Sequence, residues 1–281
     1  MSAAPGGILE RIAAGTLKRV TREKETTPLE ALREQVQKRP PSDAFFFENA
    51  LAGPGISFIC EVKRASPSKG IIAGDFPYRE IAGDYEKAGA AAISVLTEPE
   101  FFMGSDEYLR EIAAAVKVPV LRKDFILDAY QIYQARLLGA GAVLLICALL
   151  DTPTLAAFIE CAADLGLSAL VEARTEEEVR SALDAGARII GVNNRDLNTF
   201  QVDLNVSLRL RPLVPPDAIF VSESGISRAE DLRRLADAGV DAVLVGEALM
   251  RAPDKAAYLA ELSAGGGATR RRNPAAGLTS F

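Results

Sequence analysis

Short apolar runs alternate along the chain with amphipathic stretches, and the alternation is regular enough to define its elements. Runs rich in Val, Ile, Leu and Ala lie near 57–63, 92–96, 118–123, 142–147, 168–172, 188–193, 218–223 and 242–246. Each is a few residues long, as expected of a strand buried on both faces. Between them, helical spacing of apolar residues recurs near 78–88, 105–116, 128–138, 152–165, 175–186, 204–211, 227–238 and 254–263. A small-residue phrase marks several helix-to-strand junctions: AGAAAISVL from Ala88, LGAGAVLLI from Leu138, AGARIIGV from Ala185 and AGVDAVLVG from Ala238. Its glycines Gly89, Gly139, Gly186 and Gly239 stand 50, 47 and 53 residues apart, about two βα units per step. A Gly at the end of a helical pattern is the expected left-handed cap. Eight successive βα units predict an α/β fold, a (β/α)8 TIM barrel over 57–263. Strand counting alone leaves an open doubly wound sheet as the alternative.

Residues 1–56 precede the repeat and predict an N-terminal helical extension packed on the barrel. Within them Thr27, Pro28 and Glu30 read as a capping box with Pro at the first helical position, ahead of Leu29, Leu32 and Val36 at helical spacing. Beyond Ser263 the sequence is rich in Gly, Ala and Arg with little apolar periodicity, so 264–281 reads as a flexible C-terminal tail.

Composition then removes whole chemistries. The 281 residues include no His, which excludes a Ser-His-Asp triad and any imidazole metal ligand, so acid and base work falls to Lys, Glu or Asp. The three cysteines, Cys60, Cys147 and Cys161, have no C-x-x-C spacing; no metal site and no disulfide scaffold are expected, and a reducing cytoplasm is the natural location. A net charge of -6 has the wrong sign for a nucleic-acid partner. No apolar run approaches the roughly 20 residues that cross a bilayer, and no basic n-region precedes an apolar stretch at the N-terminus, so neither membrane span nor secretory signal is expected.

Strand parity places chemistry at one end of the barrel, because residues two apart share a face. SFICEVK puts Glu61 and Lys63 on the inner face and Phe58, Cys60 and Val62 toward the helices. LRKDF, ALVEAR, GVNNRDL and VSESG deliver Lys123, Glu172, Asn193 with Arg195, and Glu223 with Ser224 and Gly225 to the same mouth. Charge at strand ends can merely close a barrel by mutual ion pairing. So many charged groups at one mouth are better explained by an anionic substrate needing acid and base help. Gly225 and Gly246 each follow a strand and precede a helix, where free backbone N–H groups favour an anion, so Gly225, Gly246 and Glu247 form the expected phosphate grip. The long segment RASPSKGIIAGDFP reads as a mobile lid carrying Ser66 and Lys69, with Ser66 counted in the phosphate site. Phe101, Phe102 and Phe125 follow strands two and three and are candidates for an aromatic wall. The Gly139-Ala-Gly141 element ends a helix and lacks a third glycine, so no dinucleotide cofactor is expected.

The phrases CEVKRASPSKG, LTEPEFFMGS, VLRKDFILDAYQI, GAVLLI, LVEAR, IIGVNNRDL, VSESGI and LVGEALM, from about Ile8 to Leu262, resemble the indole-3-glycerol phosphate synthase family of tryptophan biosynthesis. The resemblance implies a cofactor-free (β/α)8 carboxy-lyase. Its reaction closes the ring of 1-(2-carboxyphenylamino)-1-deoxyribulose 5-phosphate with loss of carbon dioxide and water, giving indole-3-glycerol phosphate. It implies Lys123 as the acid at the reacting carbonyl, and Lys63, Glu61 and Glu172 for the later acid and base steps. Lys63 and Arg195 would face the substrate carboxylate, Asn193 and Ser224 would orient the substrate, and Phe102, Phe125, Leu144 and Leu197 would hold the aryl ring. Several relatives carry Ser or Thr in place of Glu247, where the expected contact is a backbone N–H. A small phosphorylated substrate is then the expected partner, with the protein a monomer or a weak homo-oligomer. Another phosphate-sugar barrel, an isomerase or a Schiff-base aldolase, and a non-catalytic binding barrel are the competing readings.

Overall fold

The computed structural model describes residues 7–40, 44–53 and 55–266. Eight parallel strands close into a barrel in chain order: β1 (Ser57–Val62), β2 (Ala92–Leu96), β3 (Val120–Lys123), β4 (Ala142–Ile146), β5 (Ser168–Ala173), β6 (Ile189–Asn193), β7 (Ile219–Glu223) and β8 (Ala242–Val245). Closure is made by β1 against β8, with Ser57 opposite Ala242 and Cys60 opposite Val245. The open sheet is thereby excluded. Each strand lies within a few residues of its expected position, because strands buried on both faces are apolar without interruption.

The helices are α1 (Ile8–Thr26), α2 (Leu29–Gln37), α3 (Phe46–Leu51), α4 (Tyr78–Lys87), α5 (Asp106–Ala115), α6 (Ala129–Leu138), α7 (Thr152–Asp164), α8 (Glu176–Asp184), α9 (Asn205–Leu210), α10 (Ala229–Asp237), α11 (Glu247–Arg251) and α12 (Lys255–Ser263). Gly89, Gly139, Gly186 and Gly239 all take positive φ at the ends of their helices, as the recurring phrase requires. The outer core lies between strands and helices and includes Phe58, Cys60 and Val62, while Ile59, Leu121, Leu170 and Val221 face inward.

The first helices bracket the barrel. Ile8, Leu9 and Ile12 of α1 line the cavity at the mouth. At the opposite end, Phe47 and Leu51 of α3 join the interior core, and Glu48 pairs with Arg188 at 2.7 Å just before β6. Leu32 of α2 is buried with Val20 and Tyr130 in a third cluster that bonds the extension to α6. The capping box expected at Thr27 does not form. Thr27 N–H closes α1 by donating to Glu23 O, and Pro28 takes the cap position of α2 without a side-chain bond. At the other terminus Ala264–Gly266 continue the turn after α12, and a Cβ on Gly265 would collide with Ala229 backbone. The expected flexible tail from residue 267 onward lies outside the described residues. Among the described residues no helix is long and apolar enough to cross a membrane.

Candidate active site

A barrel interior stacks in layers of four side chains taken from alternate strands. On β1, β3, β5 and β7 the level formed by Ile59, Leu121, Leu170 and Val221 is apolar. Two residues further along the same strands come Glu61, Lys123, Glu172 and Glu223. One whole level of the barrel is therefore ionisable. Lys123 Nζ lies 3.3 Å from Glu172 Oε2 and 3.5 Å from Glu223 Oε2, and Lys63 donates to Glu61 Oε1.

These charges set one another's protonation. Burial works against the Lys123 ammonium, but Glu172, Glu223 and Glu61 outweigh it and hold the lysine charged, well above its ordinary range. For Glu61, burial alone would favour the neutral acid; Lys63, Lys123 and Arg195 reverse that and keep it ionised below the usual carboxylate range. Glu223 goes the other way. Its burial, with the nearby charges of Glu172 and Glu61, prevails over Lys123 and pushes the carboxyl up to about 8. Its Oε1 is buried with no hydrogen-bond partner.

Above this level the cavity measures about 360 Å³. Of the residues expected at the site, the structure brings all but Phe101 and the lid residue Lys69 to its wall. Lys123, Glu172, Glu61 and Lys63 form the floor, Phe102, Phe125, Leu144 and Leu197 an apolar side, and Ser66, Gly225, Gly246 and Glu247 the rim beside Asn193, Arg195 and Ser224. Phe102 and Phe125 stand with ring centroids 6.0 Å apart. Phe101 lies instead under the Arg11 guanidinium of α1, 5.6 Å from its centroid, and does not line the cavity.

Local hydrogen bonds fix the loops that carry these groups. The Glu98 carboxylate accepts backbone N–H groups of Glu100, Phe101 and Phe102 at 3.0, 2.7 and 3.0 Å, which shapes the turn presenting Phe102. Asp124, between Lys123 and Phe125, is fully buried and accepts from Arg19 of α1 at 2.9 Å, Thr97 at 2.8 Å and its neighbour's Phe125 N–H at 2.9 Å. Asn193 Oδ1 accepts both Arg195 N–H and Ser224 Oγ at 3.0 Å, leaving its amide nitrogen available to a ligand. Ser224 holds φ 67°, an uncommon value for a non-glycine residue and a mark of a constrained turn. Gly225 follows at φ +82°, and Gly246 caps α11.

Two features were not legible in the sequence. The lid contains a hairpin, Ala65–Ser66 against Gly70–Ile71, too short for an alternating pattern to register. The Glu247 side chain gathers Arg251, Lys69 and Arg195 at 3.3, 3.8 and 3.9 Å, so cations from three segments converge beside the rim. Glu223 was legible as a mouth residue by parity, but nothing in its spacing separated its role from that of Glu172.

A sequence model described as indole-3-glycerol phosphate synthase matches residues 9–262. The indole-3-glycerol phosphate synthase of Ruminiclostridium cellulolyticum is 56% identical over 255 residues, covering 91% of this chain and 98% of that protein. The one from Lachnoclostridium phytofermentans is 53% identical over 259 residues, covering 88% and 96%. Among solved structures, 3-hexulose-6-phosphate synthase from Salmonella typhimurium superposes with a TM-score of 0.60 at 18% identity, over 75% of this chain and 98% of that one; this likeness concerns the fold alone. Matched over nearly its whole length and more than half identical to curated members, the chain belongs to the indole-3-glycerol phosphate synthase family.

Proposed function

We propose that this chain converts 1-(2-carboxyphenylamino)-1-deoxyribulose 5-phosphate to indole-3-glycerol phosphate, with Lys123 as the acid of the ring-closing step. The observation that carries the reading is the position of Lys123: a buried ammonium 3.3 Å from the Glu172 carboxyl and 3.5 Å from that of Glu223, in a cavity whose apolar side is formed by Phe102, Phe125, Leu144 and Leu197. As the ring carbon bearing the carboxylate attacks the ketone carbon, the carbonyl oxygen becomes a strong base and takes a proton from Lys123. Carbon dioxide then leaves, and its bonding electrons restore the aromatic ring. The hydroxyl departs as water with a proton from Lys63, and Glu172 takes the proton whose loss completes the indole. Glu61 accepts a hydrogen bond from Lys63 and holds it in place, and Lys63 with Arg195 meets the substrate carboxylate before it leaves. Asn193 and Ser224 orient the substrate, and Ser66 with the backbone N–H groups at Gly225, Gly246 and Glu247 receives the phosphate.

The competing readings fare less well. A Schiff-base lysine must attack as the neutral amine, whereas Lys123 is held in its charged form. All residues invoked come from one chain, which supports a monomer or weak homo-oligomer, and the three free cysteines suit a reducing cytoplasm. The division of the chain at residues 56 and 263 belongs to the same proposal, supported by the barrel strands and helices that lie between those limits. Following indole fluorescence on addition of the substrate tests the activity. Steady product formation that is lost in Lys123→Met is expected; a folded wild-type protein that makes no product refutes the proposal.

A further inference from the structure

Gly191 sits in the middle of β6 and has no positive φ to explain it. A glycine in a strand interior is unfavourable relative to Ala, so its presence calls for a local cause. The cause is visible on the neighbouring strand. Gly191 is opposite Glu172 on β5 and Val221 on β7, between the two strands that carry Glu172 and Glu223. A Cβ added at Gly191 would fall inside the van der Waals envelope of Glu223 Oε1, and it would lie 3.4 Å from Glu223 Cδ and 3.1 Å from Leu170 Cδ1. The carboxyl of Glu223 therefore occupies the space of a missing side chain. From there its other oxygen reaches Lys123.

We propose that Gly191 is a positioning residue for the reaction: its bare Cα is the seat that holds the Glu223 carboxyl in place with one oxygen directed at Lys123. The proposal rests on the reading that Lys123, which Glu172 and Glu223 face, is the acid of the ring-closing step. A methyl group at the seat would displace the carboxyl from its position 3.5 Å from Lys123 Nζ. A displacement of about an ångström at a reacting group is enough to lower turnover by roughly 10². The same geometry recurs at Gly246, where a Cβ would collide with Glu61 Oε1 and lie 3.1 Å from Lys63 Nζ.

The test is a pair of variants and their combination. Gly191→Ala is expected to lower kcat by roughly 10² with little change in KM. It should also move the alkaline limb of the kcat profile to lower pH, because a carboxyl displaced from its buried seat is better solvated; Lys123, Glu172 and Glu61 are the charged groups that face it from β3, β5 and β1. Glu223→Asp withdraws the carboxyl by one methylene and vacates the seat. In Gly191→Ala combined with Glu223→Asp, the alanine should therefore lower kcat by less than threefold relative to Glu223→Asp alone. Equal effects of the alanine in both backgrounds, or a Gly191→Ala enzyme with wild-type kcat and pH profile, overturn the proposal. If Gly191→Ala does not fold, recovery of folding in the combined variant supports the seat, and failure of both shows that the collision is with the backbone and overturns it. Wild-type turnover in Glu223→Gln would show that Glu223 is dispensable to the chemistry and would overturn the proposal while leaving Lys123 as the acid, whereas wild-type turnover in Lys123→Met would overturn the underlying reading.

Discussion

Replacing Glu223 by Gln removes one titrating proton from the barrel interior and keeps the shape of the side chain. In the wild-type protein this carboxyl is raised from its ordinary 4.5 to about 8, chiefly by burial. The folded state therefore binds a proton that the unfolded chain releases, and stability must fall as pH rises. The contribution is complete below about pH 4.5 and is lost as pH passes through 8. The slope approaches 1.36 kcal/mol per pH unit and tapers near the upper end, so the loss between pH 5 and pH 8 is on the order of 3–4 kcal/mol. For a barrel of this size that is a fall in Tm of roughly 7–14 °C.

The window is unusually clean. The chain has no His, and burial moves all three cysteines upward. Glu98 is also raised by burial and adds slope of the same sign. Urea denaturation at half-unit steps from pH 5 to pH 8.5 should give a falling midpoint for the wild type and a clearly shallower fall, left to Glu98, for Glu223→Gln. A wild-type midpoint independent of pH, or equal slopes in both proteins, refutes the account of a proton held in the barrel.

Lys123→Met should lower kcat by roughly 10² to 10⁴ with little change in KM, whereas Lys63→Met should raise KM as well, since Lys63 also meets the substrate carboxylate; steady-state fluorescence kinetics separates the two. Gly225→Ala forces an alanine into φ +82° against Val202, so phosphate binding should weaken and KM rise more than kcat falls; a variant with unchanged KM would remove Gly225 from the phosphate site. Arg19→Met takes a charged bond from the buried Asp124 and should reduce unfolding free energy by about 1.5–3 kcal/mol in urea, with an unchanged midpoint counting against the clamp.

The parts of this fold legible in the sequence are those with enough length for a period to show. Strand parity placed Phe58, Cys60 and Val62 outward and Glu61 inward because both faces of β1 are buried against different partners. Helix α1 gave a weaker signal: only Ile12, Thr16 and Val20 are buried along its 19 residues, and one of them is polar. Helix α11 has five residues, little more than one turn, so no period could reveal it. Thr27 and Glu30 carried the letters of a capping box, but the Thr27 N–H was already committed to the preceding helix. At the site, residue type and parity located Lys123 and Glu172. They were silent on Gly191, whose significance lies in a carboxylate arriving from another strand.

The seam between β1 and β8 joins Ser57 to Ala242, partners 185 residues apart, whereas each of the other strand pairs joins neighbours in the chain. Closing a loop of that length carries an entropic penalty of about 5 kcal/mol before any contact is made across it. Units can assemble next to one another along the growing chain, but the seam requires both ends of the domain. Until it closes, β1 and β8 each expose an unpaired edge of apolar residues, the kind of surface through which partly folded chains associate. The yield on refolding is therefore expected to depend on protein concentration through this one junction, and substitutions along Phe58, Ile59, Val243 and Leu244 should affect aggregation during folding more than those at the other seven strand boundaries.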